Sequence, residues 1–269
     1  MSALSRLLFP PRCAACREIL PYRTPWEPCG RGYAAKLALC SRCEAEWREA
    51  ETDECGVCAS HVRDCLCMPP LMKAAGVHAL FKLVYYLPGR REATQNRVVY
   101  HVKEEGERYT PAFLAERLSP SVAEGIRMAG IAWEDCVLTY LPRTARAVRL
   151  CGFDQSKNLC RALSELLGIP MRTLLRRRFG SNRVQKRLSQ EERLKNAKAS
   201  FRPSRRADCA GKTVLLVDDV VTTGAGLSEC ARILYGCGAK RVLCVAIAAD
   251  DVNRDVGVKG RIQRDAHSI

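Results

Sequence analysis

From about residue 71 onward, apolar positions recur along the chain in two rhythms. Val214–Val217 is an unbroken apolar run, too short for a helix and typical of a strand covered on both faces. Past Thr222-Thr223-Gly224, the stretch Ala225–Gly236 repeats Leu227, Ala231 and Leu234 at helical spacing. Further strands are expected at Val77–Val84 (one or two short ones), Cys136–Leu141 and Arg241–Ala248. Between them, Arg90–Glu105 reads as a basic amphipathic helix with Val98, Val99 and Val102 on one side. It follows a Pro88-Gly89 turn and ends in Lys103-Glu104-Glu105-Gly106. A second helix is expected from Thr110, as cap, to about Met128, with Pro111 at its first position. A third runs to Leu167, capped by Asp154 or Ser156. Strands alternating with helices predict an α/β fold with a parallel sheet. Charged, glycine-bearing Val252–Ile269 reads as a poorly ordered tail.

The strand-turn-helix at 214–236 carries the chemistry. Asp218 and Asp219 fall where the strand is expected to end, and ligands of open α/β sheets bind at the carboxyl ends of strands. A helix N-terminus offers N–H groups and a positive dipole end to a phosphate. Thr222 and Thr223 add hydroxyl donors, and Gly224 permits close backbone approach. Two adjacent carboxylates accept from a vicinal diol and help hold Mg²⁺, usually through water. Phosphate, diol and Mg²⁺ together describe a ribose 5-phosphate, and more fully phosphoribosyl pyrophosphate (PRPP). A Walker B strand is a competing reading, but the chain contains no G-x-x-x-x-G-K-[ST] string. A receiver-like acidic pocket would not call for Thr-Thr-Gly at the next helix. A buried strand followed by a capped helix, with no ligand, is the plain structural alternative.

The stretch resembles the PRPP-binding signature of type I phosphoribosyltransferases: four apolar residues, two acids, two apolar residues, Thr, Thr/Ser, Gly, any residue, Thr/Ser. By that resemblance Asp218 and Asp219 are the catalytic pair. Val220, Val221, Thr222, Thr223, Gly224, Ala225 and Gly226 form the phosphate-binding loop. The departure is Gly226, which lacks the usual hydroxyl. After the strand near 136–141, Pro142, Arg143 and Arg146 fall where such a fold places its pyrophosphate loop, and Arg149 follows. An arginine fork suits phosphate oxygens, although a solvated basic helical face is an equal reading.

Sixteen cysteines change the picture at the other end, because nine of them fall between Cys13 and Cys67. Such clustering in C-x-x-C pairs indicates metal binding in a reducing compartment rather than a disulfide framework. Four knuckles occur in order: Cys13/Cys16, Cys40/Cys43, Cys55/Cys58 and Cys65/Cys67. Sequential pairing predicts two Cys₄ zinc sites. The last knuckle is C-x-C, so His61 is an alternative ligand, and Cys29 is a spare. A segment this small needs metal to fold, and closed Cys₄ sites leave no position for catalysis.

This stretch resembles the double zinc ribbon at the head of ComF-family proteins, including Trp47 after the second knuckle and the Pro69-Pro70 exit. Cys151-Gly152-Phe153-Asp154-Gln155 is similar to that family's Arg-Gly-Phe-Asn-Gln element, with Cys151 and Asp154 as departures. The passage from Tyr85 to Glu92 and the later Val102-Lys103-Glu104-Glu105-Gly106 also resemble family segments. Gln185, Leu188, Arg193, Asn196 and Phe201 meet a further family pattern, in a region where phosphoribosyltransferases carry a mobile loop. The resemblance implies a double zinc ribbon over residues 8–70, a type I phosphoribosyltransferase-like domain over 71–250 and a tail over 251–269. It implies structural zinc, PRPP or a ribose-phosphate with Mg²⁺, and a link to competence and DNA uptake. Single-stranded DNA and proteins of the competence machinery are the implied partners.

Charge bears on the DNA reading. Formal net charge is +15, which suits an anionic partner or simply a solvated surface. Residues 172–206 hold thirteen Lys/Arg against two Glu, enough to track a phosphate backbone. Phe179 and Phe201 are the aromatics there, so base stacking is not indicated. Met1–Pro11 is too short for a signal-peptide core, and no apolar run is long enough to span a membrane. The cytosol is the expected compartment.

Overall fold

The computed structural model of the chain describes residues 10, 12–20, 28–29, 32–33, 39–104, 109–178, 200–205 and 207–251. Its centre is a parallel sheet. Strands β3 (Ala79–Phe81), β4 (Val84–Tyr86), β5 (Cys136–Tyr140), β8 (Thr213–Val221) and β9 (Arg241–Asp250) are ordered β3/β4-β9-β8-β5. Ala79 faces Leu243 and Val84 faces Ala248, so β3 and β4 keep one register along β9 across a break at Lys82 and Leu83. Beyond β5 a short segment continues the sheet: Leu138 donates its N–H to Pro170 at 2.9 Å and accepts from Arg172 at 2.8 Å. Two short antiparallel pairs lie outside this sheet: β1 (Pro28–Cys29) with β2 (Gly32–Tyr33), and β6 (Leu175–Arg177) with β7 (Phe201–Pro203).

The near-continuous apolar strands follow from cover on both faces. Side chains alternate between those faces with the period of two. Leu215, Val217, Leu243, Val245 and Ile247 pack on one side with α4 (Tyr109–Met128) and α6 (Gln155–Leu167). Val214, Leu216, Val242, Cys244 and Ala246 pack on the other with α7 (Ala225–Gly236) and Met72 of α2 (Pro70–Ala74). Cys13, Leu20, Leu39 and Trp47, the last on α1 (Ser41–Glu51), join the first of these cores.

Several expected boundaries move, each for a local reason. Strand β8 continues past the acidic pair to Val221, because Val220 and Val221 still pair with Ala248 and Ala249 of β9. Strand β9 correspondingly reaches Asp250. The helix expected from Arg90 begins at Thr94 as α3 (Thr94–Glu104). Buried Asn96 holds the preceding turn open: it accepts from Leu87 N–H at 3.0 Å and donates to the Leu87 and Arg90 carbonyls. Helix α4 starts at Tyr109, so Thr110 lies inside it. The β6/β7 pair was not expected at all. Gln185, Leu188, Arg193, Asn196, Phe179 and the tail from Val252 lie outside the described residues, as do the side chains of Cys29 and Lys103.

Candidate functional site

The carboxyl ends of β5 and β8 lie side by side, with Leu141 N–H donating to the Val217 carbonyl at 2.9 Å. From β8 the chain crosses through α7 to β9 on one side. From β5 it passes through α5 (Ala145–Cys151) and α6 to residues 170–172 on the other. The crossovers diverge between these two strands, and crevices at such points are where open α/β sheets take ligands.

Asp218 and Asp219 stand at this divergence. Asp218 is 8% exposed, and its Oδ1 accepts from Ser156 Oγ at 3.1 Å and from Asp219 N–H at 2.9 Å. Asp219 is less buried and accepts from Val220 N–H at 2.7 Å. The Ser156 bond ties the first turn of α6 to β8, which fixes the carboxylate before any ligand arrives. Val220 and Val221 belong to the strand, and the Val221 side chain is buried, so only its backbone faces outward chemistry.

Next, Thr222 is exposed and Thr223 accepts from Ala225 N–H at 3.4 Å. Gly224 has φ +70°, and no side chain caps α7. A Cβ at Gly224 would lie 2.6 Å from Met72 Cγ, so glycine is required there by both φ and space. At Gly226 the situation differs. An added Cβ would meet Leu141 methyls at 3.7 Å, ordinary contact, so a larger residue fits and the missing hydroxyl is not a steric necessity.

The loop after β5 is clamped from two sides. Asp154 caps α6 by accepting from Lys157 N–H at 3.2 Å through Oδ1, and its Oδ2 accepts from Arg143 N–H at 3.0 Å. An asparagine has one acceptor oxygen and would turn an amide N–H₂ toward one of those donors. That accounts for aspartate in this element. Burial pushes the Asp154 carboxyl up from its usual range, against the pull of the Arg143 and Lys157 N–H groups. From the other side, Arg177 Nε donates to the Pro142 carbonyl at 3.1 Å, and its guanidinium lies 4.5 Å from the Phe201 ring centre. Burial pulls the Arg177 pKa down, opposed by Cys230, Asp218 and Asp154 nearby. Arg143 Nη1 is buried with no hydrogen-bond partner among the described residues. Arg146 and Arg149 are exposed on α5.

The structure therefore gathers Pro142 and Arg143 with Asp218, Asp219 and the 222–226 turn, and leaves Arg146 at the rim. Ser156 and Arg177 are the additions. Ser156 had only a capping reading, and Arg177 sat within a basic run whose three arginines look alike by composition. Strand alternation is what separates them: Arg176 and Arg178 are exposed while Arg177 turns inward.

The knuckles also assemble. Sγ atoms of Cys13, Cys16, Cys40 and Cys43 lie within 4.8 Å of one another, and so do those of Cys55, Cys58, Cys65 and Cys67. In the first and third knuckles the chain turns sharply after the second cysteine. Arg17 (φ +66°) and Ala59 (φ +57°) take left-handed conformations there, and their N–H groups donate to the Cys13 and Cys55 carbonyls at 3.0 and 2.9 Å. Ala15 and Cys16 N–H donate to Cys13 Sγ at 3.4 and 3.5 Å, and Val57 N–H to Cys55 Sγ at 3.4 Å. Four thiolates 2.3 Å from a tetrahedral ion stand about 3.8 Å apart, and Cys16 Sγ to Cys40 Sγ is 3.6 Å. The C-x-C pair completes the second set, and His61 is outside it, bridged in backbone to Glu54. Both clusters could hold a metal ion.

Among the described residues no helix is long and apolar enough to cross a membrane. Residues 157–260 match the phosphoribosyl transferase domain family. The DNA utilization protein YhgH of Salmonella typhimurium is 28% identical over 239 residues, 88% of this chain and 96% of that protein. Competence protein F of Haemophilus influenzae is 25% identical over 239 residues, 86% of this chain and 93% of that protein. A purine phosphoribosyltransferase structure from Pyrococcus horikoshii aligns at TM-score 0.31 and 18% identity, covering 51% of this chain and 82% of its own. The phosphoribosyl transferase domain match, the parallel sheet behind two tetracysteine clusters, and the nearly end-to-end similarity to a competence protein and a DNA utilization protein all fit the ComF family.

Proposed function

We propose that this protein binds PRPP or a related ribose 5-phosphate together with Mg²⁺, in the service of handling incoming DNA. The observation that carries the reading is the acidic pair Asp218–Asp219, pre-set at the divergence of the crossovers and followed by the Gly224 turn. Asp218 and Asp219 accept from the ribose hydroxyls. Backbone N–H groups of 222–226 and the Thr222 and Thr223 hydroxyls receive the 5-phosphate. Pro142 and Arg143 face the pyrophosphate, with Arg143 Nη1 already desolvated and awaiting an acceptor. Mg²⁺ supplies charge neutralisation to the phosphate oxygens, held partly by water. Zinc suits both tetrathiolate sets, and sites closed by four cysteines are structural. The names of the relatives support the connection to DNA.

Titration of the wild-type protein with PRPP and Mg²⁺ in a calorimeter tests the reading. Saturable one-to-one heat is expected, and no heat at millimolar ligand would sink it. Pyrophosphate release with a panel of nucleobases then separates a transferase from a protein that only binds.

One further observation favours contact with single-stranded DNA. Arg176 and Arg202 are register partners across β6/β7, and both are exposed. Like charges directly opposite destabilise a strand pair, and a phosphate backbone would relieve that repulsion. Replacing both by serine should weaken binding to an oligonucleotide and flatten its salt dependence by roughly two phosphate contacts. An unchanged salt slope would remove the ribbon from the interface.

A further inference from the structure

Lys82 is 2% exposed and sits at the break between β3 and β4, on the edge of the sheet. Its side chain leaves the sheet for the second cysteine cluster. The ammonium donates to the Cys65 carbonyl at 2.6 Å, to the Cys67 carbonyl at 3.1 Å and to Cys65 Sγ at 3.4 Å. Asp250 and Asp251, at the end of β9, border the same small cavity with Cys55, Cys67 and Tyr85, and the ammonium's hydrogen bonds run to Cys65 and Cys67. A fully buried ammonium is costly without an opposing charge. Four thiolates around a divalent ion carry a net charge of about −2, which is that opposing charge.

We propose that Lys82 is the built-in counter-cation of the Cys55/Cys58/Cys65/Cys67 cluster, so that filling this cluster and seating the edge of the sheet are one event. With metal present, the ammonium lowers the cost of burying the thiolates. Without it, the same ammonium is stranded in the interior and the β3–β4 break loosens. The first cluster is built differently. The cations beside it are solvated: Arg42, next to Cys16 and Cys43, is exposed, and Arg97, 3.9 Å from Cys43 Sγ, has its side chain 29% exposed. Charge compensation there is weaker, and removing it should matter less.

The inference rests on the reading of the clusters as metal sites, and wild-type stoichiometry keeps the two apart. Full-length protein loaded with ¹¹³Cd should bind two ions and show one NMR resonance per tetrathiolate site. Fewer than two ions in the wild type would defeat the metal reading itself. In Lys82→Met, chelator competition should release one ion about 10- to 100-fold more readily, the usual loss for a group outside the ligand sphere. One resonance should shift while the other stays in place. Lys82→Gln keeps hydrogen-bond donors but not the charge, and should behave like Lys82→Met. Wild-type retention of both ions in either variant overturns the proposal, as does equal weakening of both sites. Leu83 N–H, bonded to the Ile247 carbonyl at 3.1 Å, provides a second readout. Its exchange with solvent should accelerate on metal removal from the wild type.

Discussion

Replacing Asp218 and Asp219 together by asparagine is expected to abolish measurable PRPP binding while leaving the fold in place. Each carboxylate offers charge-assisted hydrogen bonds worth about 1.5–3 kcal/mol, so the pair accounts for roughly a 100-fold loss or more. Structure should survive because the bonds from Ser156 and Asp219 to Asp218 need only one acceptor oxygen. Ser156 Oγ and Asp219 N–H both donate to Oδ1, and an asparagine oxygen takes both. Removing two neighbouring negative charges also relieves repulsion. The double variant should therefore unfold within a few degrees of the wild type and keep its circular dichroism, while its titration with PRPP and Mg²⁺ turns flat. Binding heat equal to wild type would move the ligand elsewhere. A collapse in melting temperature would instead mean that the pair is structural, the bland alternative for a strand-end acid couple.

The parts of this site that could be read from the chain are those made by neighbours in sequence. The run Val214–Val217, the turn at Gly224 and the helix Ala225–Gly236 came out where periodicity and turn chemistry placed them, because each depends on residues within a few positions. The cysteine sets followed from spacing in the same way, including a C-x-C pair that departs from the usual knuckle. What was not legible is made by pairing across long separations. Ser156 meets Asp218 across 62 residues and Arg177 meets Pro142 across 35. Neither contact leaves a trace in local hydropathy. The β6/β7 pair escaped notice because its strands are three residues each and half of those residues are arginine, so no apolar alternation marks them. Lys82 was missed for a related reason, since a lone lysine within an apolar stretch carries no mark of the partner it buries against. The end of β8 was misjudged because aspartates are rare within strands, yet pairing with β9 holds them there.

Stripping metal from the purified protein should damage far more than its first seventy residues. A cysteine-rich segment whose own core is too small to stand would ordinarily unfold alone. Here its apolar residues are shared. Cys13, Ala14, Leu20, Leu39, Cys43 and Trp47 belong to one core with Phe81, Val98, Phe113, Leu138 and Leu163. Trp47 is fully buried, packs edge-on against Phe113 with ring centres 6.1 Å apart, and donates to Glu51 at 2.7 Å. Glu51, 3% exposed, also receives Arg63 at 3.3 Å and Arg117 of α4 at 3.0 Å, and Arg117 reaches on to Glu44. One buried carboxylate thus ties the second cluster's surroundings, the first cluster's helix and the flank of the sheet. With the proposed structural zinc in each set, its loss would withdraw about 10–16 kcal/mol of binding free energy per site, comparable to the whole stability of a domain. Chelation should therefore release two ions, shift Trp47 emission to the red and lower the melting temperature by well over 10 °C. Because Val217 and Ile247 lie in the same core as Trp47, PRPP binding at the end of β8 should fall along with it. Retained ligand binding and an unmoved transition after both ions are gone would show that the sheet stands without its cysteine head.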